Sequence, residues 1–120
     1  MKLESLALAA SLIRADIDGL PLLEDSGLAY ASTVKQVDID GIEKPVMHAC
    51  GHDVHVTSLV GAAKQLAARK DEWSGTLVLV GQPAEERTGG AHAMMDDGLY
   101  TRFPKPDYAI AFHVAADVPT

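Results

Sequence analysis

A short stretch of the chain, residues 47–55 with the sequence MHACGHDVH, concentrates side chains that can bind a metal ion. It holds the single cysteine, three of the five histidines and one aspartate. Thiolate, imidazole and carboxylate groups each offer a lone pair to a divalent cation, and neither a buried strand nor an ordinary surface loop calls for this mixture. We therefore predict a transition-metal site that includes Cys50 and His52.

A second polar cluster, QPAEE at residues 82–86, directly follows an apolar run. Two carboxylates at a metal can divide the work: one binds the ion and the other takes a proton from the attacking water. This placement favours a functional pair, Glu85 and Glu86, over two solvated surface charges. The residues alone leave open which acid has which role.

The remaining candidates are less specific. His113 stands near the end of an apolar run, where a ligand is favoured over a core histidine. His55 is open between a ligand, a capping and a packing residue. Four residues are candidates for orienting the ligands through hydrogen bonds: Asp16, Asp18, His48 and Asp53.

Composition restricts the classes of function. The chain has 120 residues, 48% of them apolar and 22% charged, which is typical of a globular domain or a piece of one. The net charge of -7 disfavours nucleic acid and anionic membranes as partners. A single cysteine excludes an internal disulfide and fits a reducing compartment, so we expect a cytoplasmic protein. The apolar run 6–13 comes after Glu4 and is followed at once by the charged segment 14–18, which disfavours a signal peptide.

Alternating strand and helix patterns predict an α/β fold with a mostly parallel sheet and helices on its faces. The predicted elements are a strand at 6–15, an irregular segment at 22–46, a helix at 54–69 capped by Asp53, a strand at 76–80, a helix at 91–97 closed by Gly98, and a buried strand at 107–114. The carboxyl ends of parallel strands lie along one edge of the sheet, where ligands bind. We therefore expect the polar clusters to converge there.

MHACGHDVH together with QPAEE closely resembles the amidohydrolase branch of the M20 metallopeptidases. That branch includes hippurate hydrolases, N-acyl-amino-acid amidohydrolases and hydrolases of indoleacetic-acid amino-acid conjugates. Three further segments resemble family segments: RADIDGLP at 14–21 is similar to RADMDALP, GGAHAMMDDGL at 89–99 to GGAKAMIEDGL, and AFHV at 111–114 to the GLH segment.

The resemblance implies a zinc-peptidase-like catalytic domain that hydrolyses the amide bond of N-acyl amino acids or small peptides. It makes Cys50, His52, Glu86 and His113 ligands of two divalent ions, with Cys50 bridging them. Glu85 becomes the general base and acid that carries a proton to the leaving amine. Zinc suits thiolate and imidazole ligands, and manganese or cobalt stays open.

Family members are much longer than this chain. They carry an N-terminal helical portion, an inserted lid or dimerisation domain and a last stretch with one more ligand histidine. We therefore expect residues 1–120 to be a partial catalytic domain without the lid domain, and a homodimer stays open for the full-length family. His92 replaces the family's usual Lys, and Gly19 its Ala.

The sequence also allows two other functions. The chain could be a catalytically silent remnant that binds a metal or a partner. It could also be a hydrolase with Cys50 as nucleophile and His52 or His113 as base, although that interpretation leaves the glutamate pair unexplained.

Overall fold

The computed structural model describes residues 8–115. Within them the elements are β1 (Ala10–Asp16), β2 (Lys35–Val37), β3 (Glu43–Pro45), α1 (His52–Ala68), β4 (Thr76–Gln82), α2 (Gly90–Asp96), α3 (Leu99–Arg102) and β5 (Tyr108–Ala111). Three of the strands form a parallel sheet in the order β4-β1-β5. The predicted α/β class with a parallel sheet is confirmed. The first strand was predicted to start at residue 6, and the apolar run considered as a signal peptide covers 6–13. Residues 6 and 7 of both lie outside the described residues.

The central strand, β1, has apolar side chains on both faces because helices lie on both sides of the sheet. Ile13 lines a cavity of about 310 Å³ together with Leu59 of α1. Leu12, the preceding residue of the strand, points to the other face and lines a second cavity with Met94 of α2. The buried apolar residues among those described are Ala10, Leu12, Ala15 and Val80. The carboxyl ends of β1 and β4 lie side by side next to this small core.

The last strand is shorter and more exposed than predicted. The sequence predicted a buried strand over 107–114, but β5 covers Tyr108–Ala111 and is exposed at all four positions. β5 lies at the edge of the sheet, pairs only with β1, and packs against no helix of the described segment. His113 therefore lies beyond the strand and not within it.

The strand preceding the glutamate pair was also predicted to be fully buried, and this is wrong. β4 continues to Gln82, and only Val80 and Gln82 are buried along it. β4 forms the other edge of the three-stranded sheet, so only one of its sides is paired. The extra length buries a polar side chain, Gln82, beside the site.

The start of α1 differs from the prediction that Asp53 caps it. The helix begins at His52, and Gly51 occupies the cap position with φ of 75° and no side-chain cap. Glycine adopts this left-handed conformation without the penalty of a Cβ atom, so the chain turns into the helix directly after Cys50. Asp53 lies within the first turn, where its negative charge still complements the helix dipole.

The irregular segment contains the short extended pieces that its sequence allowed. β2 and β3 pair antiparallel, with Gln36 opposite Lys44, and we call this hairpin the β2–β3 ribbon. A backbone bridge between Leu20 and Met47 ties the ribbon's flanks to the segment after β1. Across residues 8–115, no helix has both the length and the apolar character needed to cross a membrane.

Candidate metal centre

Ligand-type side chains from several segments meet beside the carboxyl ends of β1 and β4. Cys50, His52 and Glu86 each offer one ligand atom, and these atoms all lie within 4.8 Å of one another. The sulfur of Cys50 lies 3.5 Å from Nε2 of His113. The structure thus brings together the four side chains that the resemblance made ligands. We call this edge the rim; its residues are Asp16, Asp18, Cys50, His52, His55, Glu85, Glu86 and His113.

The imidazole of His52 is buried, with a side-chain exposure of 1%, and has a fixed orientation. Its Nδ1 donates to the carbonyl oxygen of Asp18 at 3.0 Å, so in the neutral ring Nε2 carries the lone pair. That Nε2 has no hydrogen-bond partner in the described segment, and it lies 3.8 Å from a Glu85 oxygen and 3.9 Å from a Glu86 oxygen. A buried Nε2 that faces two carboxylates lacks compensation unless a proton or a metal ion lies between them.

The two ring nitrogens of His113 are arranged like those of His52. Its Nδ1 donates to the carbonyl of Val114 at 2.5 Å, which leaves the lone pair of Nε2 directed toward Cys50. Metal-binding histidines usually engage the non-ligating nitrogen in such a bond, because it fixes both tautomer and ring direction. The donor set therefore fits a divalent cation.

The acidic surroundings act on the thiol of Cys50. The neighbouring Glu86 raises the pKa of Cys50 most, followed by burial and the charges of Glu85 and Asp16. A nucleophilic cysteine needs the opposite shift, toward the thiolate at neutral pH. This environment disfavours a thiol nucleophile and favours a site in which a cation offsets the negative charge.

Asp18 links His52 to the glutamate pair. Its carboxylate accepts a hydrogen bond from the backbone N–H of Glu86 at 3.1 Å and lies 3.2 Å from Nδ1 of His52. Burial opposes ionisation, but backbone N–H bonds, that of Glu86 foremost, and the neighbouring His52 ring together hold the pKa of Asp18 below its ordinary value. Nδ1 of the exposed His48 also lies 3.2 Å from the Asp18 carbonyl. The exposed Asp53 carboxylate makes no hydrogen bond within residues 8–115.

A second set of four side chains, Asp16, His52, His55 and His113, also lies within 4.8 Å by one ligand atom each. Both oxygens of Asp16, however, face the guanidinium of Arg14. His55 accepts the backbone N–H of Val114 at Nε2, so that nitrogen has no lone pair left for an ion. These contacts already occupy both oxygens of Asp16 and Nε2 of His55.

His55 is the rim residue that sequence reasoning left open. It is buried, and its ring centroid lies 5.2 Å from that of His52 and 4.6 Å from that of His113. Burial, then the nearby His113 and His52, lower the pKa of His55, so it is neutral at neutral pH. Its spacing of three residues from His52 on a helix already places the two rings on one face.

The loop after β4 sets the glutamates between two unusual backbone positions. Ala84 and Thr88 have φ of 50° and 54°, which is uncommon for residues other than glycine. The N–H groups of Gly89 and Gly90 both donate to the carbonyl of Ala84, closing the loop around the pair. Such strained positions cluster at functional sites because the surrounding structure enforces them.

The sequence model of peptidase family M20/M25/M40 matches residues 12–120, and the chain belongs to this family. It is similar to a hippurate hydrolase of Campylobacter jejuni, with 48% identity over 84% of this chain and 23% of that protein. It is 42% identical to an N-acetyldiaminopimelate deacetylase of Oceanobacillus iheyensis, over 88% of this chain and 25% of the relative.

A solved Bacillus subtilis structure described as a dinuclear metal-binding peptidase of the M20 family superimposes with a TM-score of 0.77. Its sequence identity is 36%, and the match covers 93% of this chain and 28% of that one. The chain thus spans about a quarter of the length of the relatives it matches.

Proposed function

We propose that this chain forms the greater part of the metal centre of a metal-dependent amidohydrolase. Its substrates are N-acyl amino acids or small peptides. The observation that carries this proposal is the buried, unpartnered Nε2 of His52 facing Glu85 and Glu86, with Cys50 close by. The names of the relatives, a hippurate hydrolase and a deacetylase of an acylated amino acid, support this class of substrate.

Cys50, His52, Glu86 and His113 would hold the ion. The dinuclear metal-binding neighbour supports two ions per site, and thiolate with imidazole favours zinc, with manganese or cobalt as the alternatives. When bound, the ions supply Lewis acidity toward the carbonyl oxygen and lower the pKa of water. We also propose a cytoplasmic location, which the single cysteine supports.

Glu85 carries the proton in this proposal. Its carboxylate lies 3.8 Å from Nε2 of His52 yet keeps a side-chain exposure of 36%, so it reaches both the ion site and an incoming substrate. It accepts a proton from the attacking water and delivers it to the nitrogen of the leaving amine as the amide C–N bond breaks. Glu86, at 26% exposure and grouped with Cys50 and His52, suits the ligand role better.

A matched pair of variants tests this division of roles. Glu85→Gln should keep zinc, measured by elemental analysis and calorimetry, and lose at least about a hundredfold in hydrolysis of N-acyl amino acids. Glu86→Gln should weaken zinc binding by at least about tenfold. Hydrolysis that survives Glu85→Gln would refute the assignment, and His92→Ala, on the exposed face of α2, serves as the control.

Cys50 distinguishes the proposal from its two alternatives. Cys50→Ser should weaken zinc binding by at least about tenfold, and zinc should protect the wild-type thiol from alkylation. Turnover that resists a chelator would instead support a cysteine nucleophile. Zinc uptake by the wild-type chain with no turnover of any N-acyl amino acid would support a catalytically silent metal-binding protein.

A further inference from the structure

The segment that carries His113 leaves the sheet before it reaches the rim. β5 ends at Ala111, and its register with β1 ends at the pair Arg14 and Ala111. In the described part of the chain, hydrogen bonds tie His113 and Val114 to other segments at two points. One joins Cys50 to His113, and the other joins Val114 to His55.

The bond to His55 fixes its tautomer. The backbone N–H of Val114 donates to Nε2 of His55 at 3.0 Å, so this nitrogen bears no proton. The neutral ring then carries its proton on Nδ1, which faces an oxygen of Asp16 at 3.5 Å. The ring is 5% exposed, so water has little access to either nitrogen.

Asp16 is itself held by the sheet. One guanidinium nitrogen of Arg14 donates to Asp16 at 3.0 Å, and a second pairs with the other oxygen. Nε of Arg14 donates to the side-chain oxygen of Gln82 at 2.9 Å. A continuous chain of polar contacts therefore runs from β4 through β1 and α1 to the backbone at Val114.

We propose that His55 is a positioning residue for His113. By accepting the Val114 N–H, it holds the exposed segment after β5 so that the imidazole of His113 points at Cys50. His55 itself binds no ion. The inference rests on the proposed function to the extent that His113 is a ligand; the contact between His55 and Val114 does not depend on it.

Two substitutions of His55 separate positioning from packing. The amide of Gln reaches the place of Nε2 and can still accept from Val114, whereas the shorter Asn reaches only the place of Nδ1 near Asp16. We expect His55→Asn to weaken zinc affinity by about tenfold or more, the scale seen for lost partners of metal ligands. His55→Gln should keep most of the wild-type affinity. This difference is expected even if the two variants melt at similar temperatures.

A second measurement needs no metal. Amide hydrogen exchange at Val114 in the ion-free protein should accelerate in His55→Asn and stay slow in His55→Gln. Val114→Pro, which removes the donor, should weaken zinc binding as His55→Asn does, while Val114→Ala keeps the N–H and should have little effect. These backbone variants leave the imidazole in place and cover the case in which the His55 variants do not fold.

Equal zinc affinities of the two His55 variants would overturn the proposal, as would unchanged exchange at Val114 in His55→Asn. A wild-type chain that binds no zinc but shows the expected exchange pattern would refute the proposed function and leave the positioning contact standing. A wild-type chain that binds zinc but shows fast exchange at Val114 would refute the positioning contact and leave the proposed function standing.

Discussion

Charged and polar groups occupy two contrasting settings in this protein, the rim and the β2–β3 ribbon. At the rim Asp16, His52 and His55 are 0%, 1% and 5% exposed. In the ribbon the ion pair of Lys35 and Glu43, 3.4 Å apart, leaves both side chains more than 60% exposed. Buried groups lose hydration and depend on their partners, whereas hydrated ones depend on them little. Among residues 8–115, the buried polar side chains, Asp16, His52, His55 and Gln82, all lie at or beside the rim.

Removing one charge from each region should give the largest contrast. Asp16→Asn takes the counter-charge from Arg14 at a buried position, so the free energy of unfolding should fall by about 3 kcal/mol. Glu43→Gln breaks the exposed pair with Lys35 and should change it by no more than about 0.5 kcal/mol. Denaturant unfolding of both variants measures the difference, and equal effects would contradict the proposed contrast.

Two glycines with nearly the same backbone angle allow a finer comparison. Gly51 at the rim and Gly41 beside the ribbon have φ of 75° and 78°. A Cβ atom on Gly51 would collide with the side chain of Val114, while one on Gly41 meets no atom within 4 Å. Gly41→Ala should cost about 1 kcal/mol for its backbone alone, and Gly51→Ala about 2 kcal/mol or more.

Thermal unfolding of the two alanine variants provides the measurement. Hydrogen exchange at Val114 should also quicken in Gly51→Ala but not in Gly41→Ala. If both variants lose the same stability, the close packing of Gly51 on Val114 does not contribute to the stability of the fold.

The smallest effect concerns the pKa of Asp38 in the ribbon. The ammonium of Lys44, then the backbone N–H groups of Ile42 and Asp40, hold the pKa of Asp38 below its ordinary 3.8. The carboxylate therefore contributes stability above pH 3.8, and this contribution is lost as the pH falls through the lowered pKa of the folded state.

Carbon-13 titration of the Asp38 carboxyl group measures this pKa directly. It should lie below 3.8 in the wild type and rise toward that value in Lys44→Gln. Lys35→Gln, which alters the other ion pair of the ribbon, should leave it unchanged. A wild-type value at or above 3.8 would show that the contacts of Asp38 do not favour its charged form.

Sequence patterns predicted those parts of the fold that depend on local physics. The β-branched apolar run at 76–80 and the helical spacing after Asp53 are local signals, and both elements formed within a few residues of their predicted bounds. The convergence of the polar clusters followed from a general property of parallel sheets. The residue types then identified Cys50, His52 and the glutamates as a group.

What the sequence did not predict depends on which element lies next to which. The exposure of β5 follows from its edge position, which no local pattern encodes. The start of α1 was misplaced because the left-handed angle at Gly51 outweighed the capping preference of Asp53. The contact of His55 with Val114 joins residues far apart in sequence, so only the folded geometry reveals it.

The central place of β1 has a consequence for how the chain folds during synthesis. Of the three described strands of this sheet, β1 comes first in the chain, and its neighbour β4 emerges roughly 60 residues later and β5 later still. At about 5–20 residues per second, β1 waits about 3–12 s for its first partner strand on the ribosome. The face of β1 that carries Leu12 waits longer still, because α2, which lies on that face, follows β4 in the chain.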